Sequence, residues 1–283
     1  MVKRILIQVV STLLYNAHWP GFQNGRIYQG SFKAFCLPGM NCYSCPGAVG
    51  ACPIGSLQAF YSGSIFRFPF LVLAWLLLCG LVLGRFLCGW FCPFGLIQDV
   101  LFRIPVAKIG KSRVTLVLSR LKYLWGFLFV LIVPLVLFFW SGVGEPVFCK
   151  YICPVGTLEA GAPLLVLRPE LRGLAGWLAV WKFTILGMFL VAMIVIYRPF
   201  CRFLCPLGAW CGLFNKFAFF GIAVHETRCT KCGRCAAVCS MDVRIAGDRE
   251  CISCGTCRDI CPEQAIYFRH GSLAMHHNEQ KEG

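Results

Sequence analysis

The sequence predicts an α-helical membrane bundle of three to four spanning helices, followed by a small α+β domain that holds metal through cysteine. Three observations predict it. Apolar stretches of spanning length with a single charge each recur through the first two hundred residues, the last third writes one cysteine pattern twice, and the chain combines 20 cysteines with 58% hydrophobic residues. That composition is far from the average soluble domain.

The first element runs from Ile5 to Trp19. Gln8, Ser11, Thr12, Asn16 and His18 make a polar stripe, while Leu6, Val9, Val10, Leu13 and Ala17 follow helical spacing. Length and stripe favour a short spanning helix with its polar side turned into the bundle, and the alternative is an amphipathic helix on the membrane surface. No small-residue cleavage site follows, so it is not read as a removed signal peptide. Residues 1–66 thus comprise this helix and a cysteine-rich segment, CLPGMNCYSCPGAVGACP from Cys36.

The membrane domain is placed at 67–212. Phe68 to Leu87 has one charge, near its end; Leu121 to Val143 and Leu174 to Tyr197 each have one lysine near the start, Lys122 and Lys182. Each is about long enough to cross a hydrocarbon core of about 30 Å. A buried helix of a soluble protein can be as apolar, but three in one chain argue for a membrane.

Charge sets the orientation. Arg103, Lys108, Lys111, Arg113 and Arg120 lie between the second and third candidate spans, against Lys150, Arg168 and Arg172 before the fourth. The positive-inside rule puts the first loop and the C-terminal domain in the cytoplasm of a bacterial inner membrane, with residues 20–67 and 144–173 outside. This bias accounts for the net charge of +15. A nucleic-acid partner is not implied, because the C-terminal Lys and Arg are scattered among loops and form no stripe.

The C-terminal domain, 224–268, contains CTKCGRCAAVC from Cys229 and CISCGTCRDICP from Cys251. The doubled C-x2-C-x2-C-x3-C run is the spacing for two [4Fe-4S] clusters: three thiolates close on one cubane while the fourth reaches the other. The expected sets are Cys229, Cys232, Cys235 and Cys261, and Cys251, Cys254, Cys257 and Cys239. A zinc ribbon needs only four thiolates and leaves the doubling unexplained. The domain is therefore expected to be a compact βαββαβ-like, bacterial-type 2[4Fe-4S] ferredoxin, joined by a hinge from Leu213 to Val224. A polar tail, 269–283, carries His270, His276 and His277, read as solvated.

Twelve cysteines remain. The chain writes C-P-x-G four times, at Cys52, Cys92, Cys153 and Cys205, and three copies have a cysteine four residues upstream, Cys88, Cys149 and Cys201. Proline suits the first position of a helix and glycine permits close backbone approach, so each motif sets thiols at a helix mouth. Topology sorts Cys88, Cys92, Cys201 and Cys205, with Cys211 nearby, to the inner face, and Cys36, Cys42, Cys45, Cys52, Cys149 and Cys153 to the outer. One or more further [4Fe-4S] clusters at the membrane faces are the expected occupants. Outer disulfides and buried inert thiols are the alternatives, open for Cys36 and preferred for the lone Cys79.

CGWFCPFG, CKYICPVG and CRFLCPLG joined to the ferredoxin run resemble the NapH-type membrane iron-sulfur proteins, relatives of the polyferredoxin region of NosR, over residues 66 to 265. The resemblance implies a membrane component that passes electrons between the quinol pool or cytoplasmic donors and an extracytoplasmic reductase. The third C-x3-C-P pair and the cysteine-rich outer segment depart from the pattern and suggest extra clusters.

No His lies in the three confident spans and no C-x-x-C-H occurs, so haem is unsupported; no G-x-G-x-x-G or Walker loop occurs, so neither is flavin or nucleotide. His18 beside Trp19 reads as an interfacial anchor, with a quinone headgroup the sharper alternative. The expected function is a membrane electron-transfer subunit of an oxidoreductase complex, relaying between cytoplasmic clusters and a redox partner protein. The alternative is an assembly or metal-reducing factor of the FixG type, less favoured because those proteins carry a further domain whereas this sequence stops about twenty residues beyond Cys261.

Overall fold

The computed structural model describes residues 2–61, 69–173, 175–241 and 243–271. The tail beyond Gly271 with His276 and His277, residues 62–68, and Leu174 lie outside the described residues. In chain order the elements used below are α1 (Val2–Tyr15), α2 (Pro53–Ala59), α3 (Phe70–Val82), α4 (Pro93–Leu101), α5 (Arg113–Ser141), α6 (Pro154–Leu167), α7 (Trp177–Val195) and α8 (Pro206–Phe214). Strands β1 (Phe220–Val224) and β2 (Ile266–His270) enclose the short helices α9 (Arg234–Val238) and α10 (Thr256–Ile260).

The long helices are inside out by the standards of a soluble protein. On α1, Arg4, Gln8, Ser11 and Tyr15 are buried while Leu6, Val10, Leu13 and Leu14 are exposed. On α5, Thr115, Ser119 and Lys122 are buried, whereas Phe139 is 76% and Trp140 88% exposed. Apolar surface on this scale is stable against lipid and costly against water.

Among the described residues two helices, α5 and α7, are long and apolar enough to cross a membrane. The expected span from Phe68 is shorter: α3 has 13 residues, about 20 Å at 1.5 Å per residue. Gly84 ends it at φ 50, a left-handed conformation that glycine adopts without strain. α5 begins earlier than the expected Leu121, at Arg113, where Ser112 and Thr115 form a reciprocal capping box. Arg113 and Arg120 are therefore helical residues and not loop residues. α1 has 14 residues, so three to four full spans are not what the described residues provide.

The segment between α1 and α3 does not stay at one end of the bundle. It folds back, with Cys36 bridging Ala51, and inserts α2 so that Gln58 Nε2 donates to the carbonyl of Phe129, midway along α5, at 2.9 Å. Beyond α8, β1 and β2 pair antiparallel from Phe220↔His270 to Val224↔Ile266; these are the strands of the C-terminal domain among the described residues. β1 starts within the expected hinge. Asn215 pins that junction, its Nδ2 donating to the carbonyls of Asp248 (2.7 Å) and Cys251 (3.1 Å) and its Oδ1 accepting from Arg85 N (3.0 Å). One buried apolar core runs from Cys52 and Leu57 through Cys88, Cys92 and Cys205 to Cys251 and Ile252.

Candidate metal centres

All four C-P-x-G motifs fold alike. Cys52, Cys92, Cys153 and Cys205 are extended N-cap residues with proline next, at the start of α2, α4, α6 and α8. Their thiols therefore sit among unpaired helical N–H groups, at the positive end of the helix dipole. Gly208 N donates to Cys205 Sγ at 3.2 Å.

The motifs assemble in pairs. In the set nearer the C-terminal domain, the proximal set, Cys88, Cys92, Cys201 and Cys205 are all buried. Burial pushes Cys92, Cys201 and Cys205 up, and their mutual charges add to it, Cys201 and Cys88 acting on both Cys92 and Cys205. Cys211, fully buried, joins them: its hydrogen bond with Cys88, together with Arg85, Arg198 and Lys122, pulls the Cys88 thiol below its ordinary range despite burial. In the distal set burial pushes Cys42, Cys52 and Cys153 up to about 12. Burial also raises Cys149 well above its ordinary value, and Cys153, Cys52 and Cys42 each act on it. Cys45 is buried beside this set, its thiol facing Asn16 Oδ1 at 3.5 Å. Cys36 lies by Ser56 and within electrostatic reach of Cys79, which is buried in α3.

The two sets are neighbours, joined through Met40. Met40, 2% exposed, donates its backbone N–H to Cys92, and its Sδ lies 3.9 Å from Cys52 Sγ. The inserted α2 is the cause.

The repeat extends further than C-P-x-G. Six residues after each cysteine stands a side chain that reaches the opposing motif: Gln58, Gln98, Glu159 and Cys211. Gln58 Oε1 accepts from Cys149 N at 3.0 Å, Gln98 Oε1 accepts from Phe200 N at 3.2 Å, and Glu159 Oε2 accepts from Cys42 N at 2.6 Å. Burial pushes the Glu159 carboxyl up to about 8. In the proximal set an arginine three residues before the first cysteine also crosses over: Arg198 Nη1 donates to the carbonyl of Cys88 at 2.6 Å, and Arg85 Nη2 to that of Cys201 at 3.3 Å. Both are wholly buried. Arg198 is held by Asp99, which also pairs with Arg4; Arg85 and Lys122 are held by Glu250, which accepts from Tyr123 Oη at 2.8 Å. The signal is in the sequence itself: the register of the four C-P-x-G repeats continues three residues past the glycine, to this sixth position.

In the C-terminal domain Cys239, Cys251, Cys254 and Cys257 come together. Burial raises Cys257 to about 12 and Cys239 to about 11, with Cys251 and Cys254 acting on both. A cavity of about 220 Å³ lies against these four, with Cys235 and Asp99 also on its wall. The other expected set is more open: Cys232 is exposed, and Cys229, Cys235 and Cys261 are half-buried. Among the described residues no three His, Cys, Asp or Glu side chains close around a single metal ion. The proximal set touches the cluster loop directly. Trp90 Nε1 donates to Ser253 O at 3.0 Å, and a Cβ at Gly89 would lie 2.1 Å from Ile252 O, so only glycine permits this contact.

Family models agree with this division. A 4Fe-4S binding domain model matches residues 64–112, 125–162 and 175–222, and a second 4Fe-4S binding domain model matches 248–267. The chain is 28% identical over 193 residues to an uncharacterized protein of Methanocaldococcus jannaschii, covering 66% of this chain and 73% of that one. It is 31% identical over 158 residues to the methylamine utilization ferredoxin-type protein MauN of Methylorubrum extorquens, covering 56% and 48%. With the regulatory protein NosR of Stutzerimonas stutzeri it shares 24% over 178 residues, covering 61% and 22%. The chain thus spans about half the length of this MauN and less of NosR. No solved structure matches it significantly.

Proposed function

Because the chain belongs to the membrane polyferredoxins of the NapH and NosR type, we propose that it relays electrons from its C-terminal clusters through two further thiol-bound sites inside the membrane domain to a redox partner protein. A [4Fe-4S] cluster on each thiol set would supply one-electron transfer.

The donor chemistry fits. Cys88, Cys92, Cys201 and Cys205 offer four buried thiols; the distal set also offers four, with Cys52 and Cys153 buried and Cys42 and Cys149 half-buried, and cubane ligation uses four. Arg85, Arg198 and Lys122 surround Cys88, so this chain already holds the cations that offset an anionic, thiolate-bound group in a low dielectric. The single observation that carries the relay is continuity: the turn bearing Cys88 rests on the loop Cys251–Cys254, and Met40 joins Cys92 to Cys52. Positive-inside bias supports a cytoplasmic C-terminal domain, with the distal set toward the other face. A reductase or other oxidoreductase complex is the partner class this reading favours, with quinone as a further candidate.

The test uses membrane vesicles with the C-terminal domain outward, reduced ferredoxin outside and ferricyanide trapped within. Wild type should reduce the trapped ferricyanide. Cys153→Ala should abolish this while leaving the C-terminal clusters reducible, and delivery at the wild-type rate in that variant would overturn the route through the distal set.

A further inference from the structure

The four sixth-position side chains occupy equivalent places, and one of them, Gln98, turns its amide on a thiol. Gln98 is fully buried and every one of its polar positions is used. Its Oε1 accepts from Phe200 N at 3.2 Å, and its Nε2 donates to Phe94 O at 3.3 Å and to Cys201 Sγ at 3.0 Å. The Phe200 N–H decides the orientation of the amide, because a flipped Gln98 would set two donors against each other and leave the oxygen facing sulfur. Gln58, its counterpart in the distal set, accepts from Cys149 N in the same way but spends its amide N–H on the carbonyl of Phe129.

We infer that Gln98 is a tuning residue for the proximal set: its amide N–H, aimed at Cys201 Sγ, stabilises the more negative, reduced state of a cluster held there and raises its reduction potential. The physical cause is general. A donor to a ligating sulfur favours the state with more charge on that sulfur, and the effect is undiluted by water where the donor and sulfur are both buried. The balance is one electron gained by the cluster with no bond made or broken and no proton moved. The consequence is a proximal site made easier to reduce by its own fold. The inference rests on the proposal that the proximal set holds a cluster.

The experiment is a redox titration of the purified, anaerobically prepared full chain, followed by electron paramagnetic resonance, on wild type, Gln98→Met and Gln58→Met. Methionine keeps the length of glutamine and removes the donor. Gln98→Met should hold as much iron as wild type and show one signal shifted to lower potential, while the signals of the C-terminal clusters stay in place. Gln58→Met should leave that same signal unshifted. An unshifted signal in Gln98→Met at full iron content overturns the inference and leaves the cluster assignment intact, whereas a wild type without a third signal overturns the assignment itself. Should Gln98→Met lose iron, wild type labelled with 15N at the glutamine side-chain amide decides the matter. A 15N hyperfine coupling on the proximal signal supports the donor, and its absence overturns it.

Discussion

The proximal and distal thiol sets are built from the same repeated turn, and they differ in charge. Around the proximal set Arg85, Arg198 and Lys122 are fully buried, with Asp99 and Glu250 as their carboxylate partners. Beside the distal set one sixth position is a carboxyl, Glu159, and Lys33 and Lys182 donate to the carbonyls of Ala48 and Cys149. A shared local fold fixes where thiols go, and the surrounding ion pairs decide what each site is tied to. The proximal set is locked to the C-terminal domain through Arg85 and Glu250, the residue before Cys251; among the described residues no ion pair ties the distal set to that domain.

The largest effect should come from breaking that lock. Glu250→Gln leaves Arg85 and Lys122 buried without their carboxylate, and breaking a buried pair of this kind costs about 3–5 kcal/mol. Denaturant unfolding in detergent should show the loss, together with earlier proteolysis of the C-terminal domain, and a change below about 1 kcal/mol would mean that the pair is solvated as surface pairs are. Asp99→Asn should weaken the other arm, between α4 and α1, by a similar but smaller amount because Asp99 makes no contact with the C-terminal lock. The same arm has a pH signature. Burial opposes ionisation of Asp99, but Arg198 and then Arg4 hold its carboxyl below the usual range. Its stabilisation is therefore complete above the unfolded value of about 4 and is lost as pH falls through the lower folded value.

Gly89→Ala acts on the contact between the proximal turn and the cluster loop. Its new Cβ would meet the Ile252 carbonyl, which is backbone and must move, so a cost of about 1–3 kcal/mol is expected. Transfer between the C-terminal clusters and the proximal site should slow in freeze-quench measurements, and an unchanged rate would show that this contact is structural alone. The smallest effect belongs to Cys79→Ala, which removes a buried packing thiol from α3. Iron content should not change, and a loss of iron would promote Cys79 from packing to ligation.

Much of this was legible in the residues. The spacing of Cys229 to Cys261 and the C-P-x-G pairs point to iron-sulfur chemistry because ligand geometry is local, and local geometry is what short spacing records. The four proximal cysteines could be grouped because both pairs follow apolar segments on one side. What spacing could not show was depth. Nothing in CLPGMNCYSCPGAVGACP says that its helix inserts to the level of Phe129, and that insertion brings Cys52 and Cys92 to either side of Met40. Gly84 likewise cut short an apolar run that hydropathy alone extends to Leu87, because hydropathy carries no information about φ.

Iron content tests most directly whether two cluster sites stand in the membrane domain beyond the C-terminal pair. At four iron atoms per cubane, anaerobically prepared wild type should approach about sixteen iron atoms per chain, with Cys92→Ser and Cys153→Ser each losing about four. A wild-type content of about eight, unchanged in both variants, would confine the clusters to the C-terminal domain and contradict the account.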